Sequence, residues 1–232
     1  MFRTLTKDDV EVRVQQIKRW AQGCAADLLI YKNVRVDRAI LNETFGMFGW
    51  QSKFEVVNDS LFCTISIKDT ETGEWIAKQD VGTESNVEME KGQASDAFKR
   101  AAFAWGIGEE LYTSPKIKIF PQPGDYNESN GKYYLNATPF VNEMIVDPET
   151  RKIKYLEIAL QPDAQDRKAY VCFTFGRKRP TDERINSCAA WVIESGNTEQ
   201  NGIDLLAKSY TILEEDKVKL HDAITNLESL NG

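Results

Sequence analysis

The hydrophobic period of this chain switches from two to 3.6 across a single glycine, and that switch restricts the fold more than any other feature. Upstream, Leu61-Phe62-Cys63-Thr64-Ile65-Ser66-Ile67-Lys68 alternates, placing Leu61, Cys63, Ile65 and Ile67 on one face as in a half-buried strand. Phe54-Glu55-Val56-Val57 precedes it across an Asn58-Asp59 turn, and Glu74–Gln79 follows an Asp69–Gly73 turn. Lys53–Asp80 therefore reads as an antiparallel meander. Gly82 ends it. A helix is predicted from about Val87 to Trp105, with Ala94, Ala97, Phe98, Ala101 and Trp105 forming one apolar stripe and Gly106 and Gly108 as stops. A sheet with one apolar face and a helix with one apolar stripe bury both by packing together. The expected class is α+β: an antiparallel β-meander packed against helices, a β-β-β-α core.

The flanks are less sharply patterned. In residues 7–24, Val10, Val12 and Val14 alternate like a strand, while Val10, Val14, Ile17 and Trp20 also fit a helix; both assignments stay open. Asp27–Lys32 reads as a short buried strand, and Val36, Ile40, Leu41 and Phe45 as a helix stopped by Gly46. Pro115, Pro121, Pro123 and Gly124, followed by Asp125–Gly131, mark a long loop. A second short meander is expected over Phe140–Val146, Lys152–Leu160 and Ala169–Phe175, with a turn at Asp147-Pro148-Glu149-Thr150. The last stretch is helical in pattern and acidic in balance. Leu206, Tyr210, Leu213, Leu220, Ile224 and Leu227 give either an amphipathic helix folded on its own domain or a helix–helix oligomer contact. The expected organisation is a core over residues 1–180 and a helical acidic region over 181–232.

Composition excludes several functions. No transmembrane run or secretory leader is visible, so a cytoplasmic protein that does not enter the membrane is expected. Cys24, Cys63, Cys172 and Cys188 are widely spaced and His221 is the one histidine, which argues against a structural zinc site and for reduced, mostly buried thiols. No phosphate-cradling loop, dinucleotide fingerprint or nucleophile elbow occurs, so no cofactor and no catalytic residue are assigned. Glu84, Glu88 and Glu90 serve a helix start, or hold a metal in a nuclease. The net charge of -7 argues against a surface that grips phosphates everywhere but leaves room for a local basic groove.

Two segments carry the functional expectation. One is Leu41-Asn42-Glu43-Thr44-Phe45-Gly46-Met47-Phe48-Gly49-Trp50. The other is Asp80-Val81-Gly82 with Glu90-Lys91 and Lys99-Arg100-Ala101 ahead of Gly106. Lys99 and Arg100 flank the apolar stripe, where they can bury their stems and present charge to consecutive phosphates. In order and spacing these pieces resemble the Rad-fifty-two family of single-strand annealing proteins, especially its phage-encoded branch. The resemblance covers about residues 25–113 and fades through 114–180.

The resemblance implies a homo-oligomeric ring or filament. Single-stranded DNA lies in its basic groove and pairs with a complementary strand without ATP, in recombination and repair. Lys99 and Arg100 match the family's backbone-contacting pair. Arg35 and Arg38 lie close to a further basic position, one or two residues out of register, and Phe103 stands where some eukaryotic relatives carry a third cation. Tyr31, Lys32, Lys116 and Lys118 are further DNA-binding candidates, and a phage exonuclease or a single-strand-binding protein is a candidate partner. Binding without annealing, metal-dependent cleavage and a domain that binds no DNA remain as alternatives.

Overall fold

The computed structural model describes residues 2–21, 23–83 and 89–231. The chain is α+β, as its patterning requires. Two strands open it, β1 (Val10–Trp20) and β2 (Gly23–Lys32), followed by helix α1 (Val34–Phe45). The meander is β3 (Trp50–Val57), β4 (Ser60–Lys68) and β5 (Trp75–Val81), in the order β3-β4-β5, and helix α2 (Met89–Ala104) packs on it. Asn58 and Asp59 both take positive φ in the hairpin turn. Cys63, Ile65 and Ile67 on β4 meet Ala97, Phe98 and Ala101 of α2 in one buried core.

The ambiguity over residues 7–24 resolves as a strand, for an identifiable reason. Val10, Val12, Val14 and Ile17 oppose Lys32, Ile30, Leu28 and Ala26, all on the core-facing side of β2. The register shifts between Val14 and Gln16. A β-bulge spends one extra residue, so the inward positions jump from a spacing of two to three and imitate a helix.

Gly82 explains the Asp80-Val81-Gly82 segment physically. A methyl group there would run into the carbonyl oxygen of Gln93 and lie 2.9 Å from the Cβ of Ala97. The missing side chain lets α2 settle directly on the end of β5. Gly82→Ala is expected to cost about 1–3 kcal/mol through overpacking, read as a lower thermal midpoint with an unchanged far-UV spectrum.

The predicted long loop contains structure. Strand β6 (Ile117–Ile119) joins β2 to give the sheet β1-β2-β6, and β7 (Tyr126–Ser129) and β8 (Lys132–Leu135) form a hairpin. Strands of three or four residues carry too few alternations to show in the sequence. The second meander is present as β9 (Ala137–Asp147), β10 (Lys152–Pro162) and β11 (Tyr170–Gly176). Its Val141, Ile153, Leu156 and Ile158 share the core of the first sheets. Arg151, in the β9–β10 turn, donates to the carbonyls of Phe2 (2.9 Å) and Gly106 (2.9 Å) and to buried Glu110 (3.0 Å), which accepts the Leu5 N–H (2.6 Å).

The C-terminal stretch forms three helices, α3 (Asp182–Glu194), α4 (Glu199–Ala207) and α5 (Glu214–Asn231), rather than one. Leu206 lies on α4 and Leu220 and Ile224 on α5, gathered with Ile185, Cys188 and Val192 of α3. Side chains from separate helices converge on one cluster, which is why their spacing looks continuous. All four cysteines are free, and burial pushes the Cys63 and Cys172 thiols up to about 11. Among the described residues no helix is long and apolar enough to cross a membrane.

Candidate nucleic-acid interface

Strand β6 pairs with Ala26–Leu28, so among the described residues Leu29–Lys32 have a strand partner, β1, on one side alone. A groove of about 530 Å³ opens beside them. Leu29–Lys32 form one wall, and Asp96, Lys99, Arg100 and Phe103 of α2 form the facing one. Gly108, Leu111 and Tyr112 also line it. The Lys99-Arg100 pair and the Tyr31-Lys32 pair, far apart in sequence, thus line one groove.

Their charges are not equivalent. Arg100 pairs with Asp80 at 3.2 Å, so part of its field is neutralised within the fold. Asp96 is engaged by the Thr83 N–H and hydroxyl, each at 2.9 Å. Lys32 is 6% exposed and ion-paired with Asp37, whose second oxygen, Oδ2, is buried without a hydrogen-bond partner. Burial lowers the Lys32 ammonium and lifts the Asp37 carboxyl to about 6; Lys99 acts on both. Gly108, at φ 78°, leaves space for the Lys32 stem: a Cβ there would lie 2.9 Å from the Lys32 Cδ. Among the described residues Lys99 has no carboxylate partner, and it is the least compensated cation of the groove.

Of the other predicted residues Tyr31 is in the lining, and Arg35, Arg38, Lys116 and Lys118 lie outside it. Arg35 is exposed in the first turn of α1, and the Arg38 guanidinium sits 5.0 Å above the Phe98 ring. Tyr31 donates its hydroxyl to Glu11 (2.6 Å), and the Arg13 guanidinium lies 5.7 Å from its ring centre. Lys116 and Lys118 are exposed around β6. Lys118 pairs with Asp27 at 2.9 Å and, aided by Lys18 and Lys116, holds that carboxyl below the ordinary range. Three ammonium groups around one carboxylate make a second basic patch on the outer face of β1-β2-β6.

Sequence reasoning missed Arg13, Lys18 and Tyr112. Arg13 and Lys18 carried no signal while the fold of residues 7–24 was open, and Tyr112 meets Phe103 only through tertiary packing. Glu84 and Glu88 lie outside the described residues, as does the Glu90 side chain. Among the described residues no cluster of three His, Cys, Asp or Glu side chains is placed to hold a metal.

The model of the Rad52/22 family double-strand break repair protein matches residues 2–122, which contain every wall of the groove. No curated protein and no solved structure matches the chain.

Proposed function

The chain belongs to the Rad52/22 family of double-strand break repair proteins, and on that premise we propose that it is a phage-type, ATP-independent single-strand annealing protein. The observation that carries this is the meeting of Lys99 and Arg100 with the Tyr31-Lys32 strand edge in one groove. Repeated around a ring or along a filament, the groove becomes a narrow basic track. Lys99 and Arg100 hold phosphates of one strand, while Arg35, Arg38, Lys116 and Lys118 flank its path. Lys32 acts from beneath as part of a buried pair. Fixing the backbone leaves bases free to test register, and pairing, worth roughly 1.4 kcal/mol per base-pair step, drives the reaction.

A narrow track is compatible with the acidic chain. Residues 181–232 hold ten acidic and four basic side chains, against totals of 36 and 29, so nearly all the excess negative charge lies there. Such a region keeps the outer surface off DNA and offers a face to an exonuclease or single-strand-binding protein. Loss of residues 181–232 is expected to remove partner binding.

The test is duplex formation from two complementary labelled oligonucleotides, without nucleotide and with chelator. Acceleration is expected, and strand affinity should fall with salt by a log–log slope of roughly 0.7 per phosphate contact. Strand binding without acceleration would leave a binding protein; cleavage on adding magnesium would make it a nuclease.

A further inference from the structure

Phe103 and Tyr112 are large aromatic side chains left 37% and 76% exposed. Their ring centres are 4.5 Å apart, with planes at 44°. One belongs to α2 and the other to the short Glu109–Thr113 helix, so the fold brings them together. Single exposed apolar residues are ordinary. This pair, however, shares the groove with Lys99 and Arg100. Phe103 follows Lys99 by one turn of α2, roughly 6 Å along the axis, on the same side of the helix. A cation for a phosphate with an aromatic face one turn away is the combination that holds single-stranded nucleic acid by backbone and base together.

We infer that Tyr112, backed by Phe103, is a base-stacking platform: one base per protomer lies on the Tyr112 ring while Lys99 holds the backbone. This rests on the groove taking single-stranded DNA. The packed Phe103 ring supports the inner side of Tyr112, and the more exposed ring meets the base. Every base has a π face, so the platform needs a base without choosing which. The remaining bases stay available for pairing.

The experiment compares oligo(dT) with an abasic strand of equal length, using the full chain and the variants Tyr112→Ala, Tyr112→Leu and Tyr112→Phe. Alanine and leucine are expected to weaken oligo(dT) binding about 5- to 100-fold. Phenylalanine should stay within about twofold of wild type, because stacking needs the ring and not the hydroxyl. Abasic-strand affinity and assembly mass should not change. Equal losses on both strands, a smaller assembly, or leucine binding like wild type would each overturn the platform alone. A wild-type chain that binds neither strand overturns the underlying reading, and the platform with it.

Discussion

Replacing Lys99 and Arg100 together by alanine is expected to weaken single-strand binding about 100-fold or more and to abolish accelerated annealing. Fold and assembly mass should be unchanged. A hydrogen bond to a charged group contributes about 1.5–3 kcal/mol, so two lost phosphate contacts remove about 3 kcal/mol or more, two decades of affinity. The log–log salt slope should fall by roughly 1.4, because two phosphates per protomer are no longer neutralised. The single variants should differ. Arg100 spends part of its charge on Asp80 at 3.2 Å, so Lys99→Ala costs more affinity than Arg100→Ala. Asp80→Asn frees the guanidinium and should tighten binding at low salt. Polarisation of a labelled oligonucleotide across a salt series, with light scattering for mass, measures all four. A folded, assembled double variant that anneals at the wild-type rate would move the DNA path elsewhere.

The meander and α2 were legible because their signals are local. Leu61, Cys63, Ile65 and Ile67 alternate without interruption, and Ala97, Phe98 and Ala101 hold helical spacing. Strand β1 was not, because a bulge changes its phase midway. Strand β6 pairs with residues some ninety positions away over three rungs, which no window of sequence contains. The site divides the same way. Lys99 and Arg100 could be found from their order within a longer pattern. That Arg100 is tied to Asp80 depends on how α2 crosses β5, and that Lys32 is buried depends on an aspartate on the next helix. Composition reports the charges of a groove; packing decides which remain available to a ligand.

The buried Lys32–Asp37 pair yields the largest expected effect on stability. Asp37 is 0% exposed, and one of its oxygens has no hydrogen-bond partner. Its folded pKa of about 6 lies above the ordinary aspartate value of 3.8, so between those values the native state holds the proton more tightly than the unfolded chain. Stability from this group therefore falls as pH rises through that window. Lys32 is lowered from 10.5, so the native state binds its proton less tightly, and stability falls as pH drops below 10.5 towards the folded value. Both directions mean that burying the ionised pair costs free energy. Removing one partner costs more: Lys32→Met is expected to destabilise by about 3–5 kcal/mol, because Asp37 is left buried and unpaired. Lys32→Met with Asp37→Val should recover most of that loss, since a buried pair replaced by apolar side chains is often neutral or stabilising. Strand affinity separates the roles of the two lysines. The double variant removes one positive and one negative charge, so the field at Lys99 is nearly preserved and affinity should stay within about threefold of wild type. Lys32→Met alone leaves an anion that competes with phosphate for Lys99, and affinity should fall. Denaturant melts and polarisation on the same preparations decide the matter. A double variant as stable as wild type but with greatly weakened strand binding would place the Lys32 ammonium on the DNA itself.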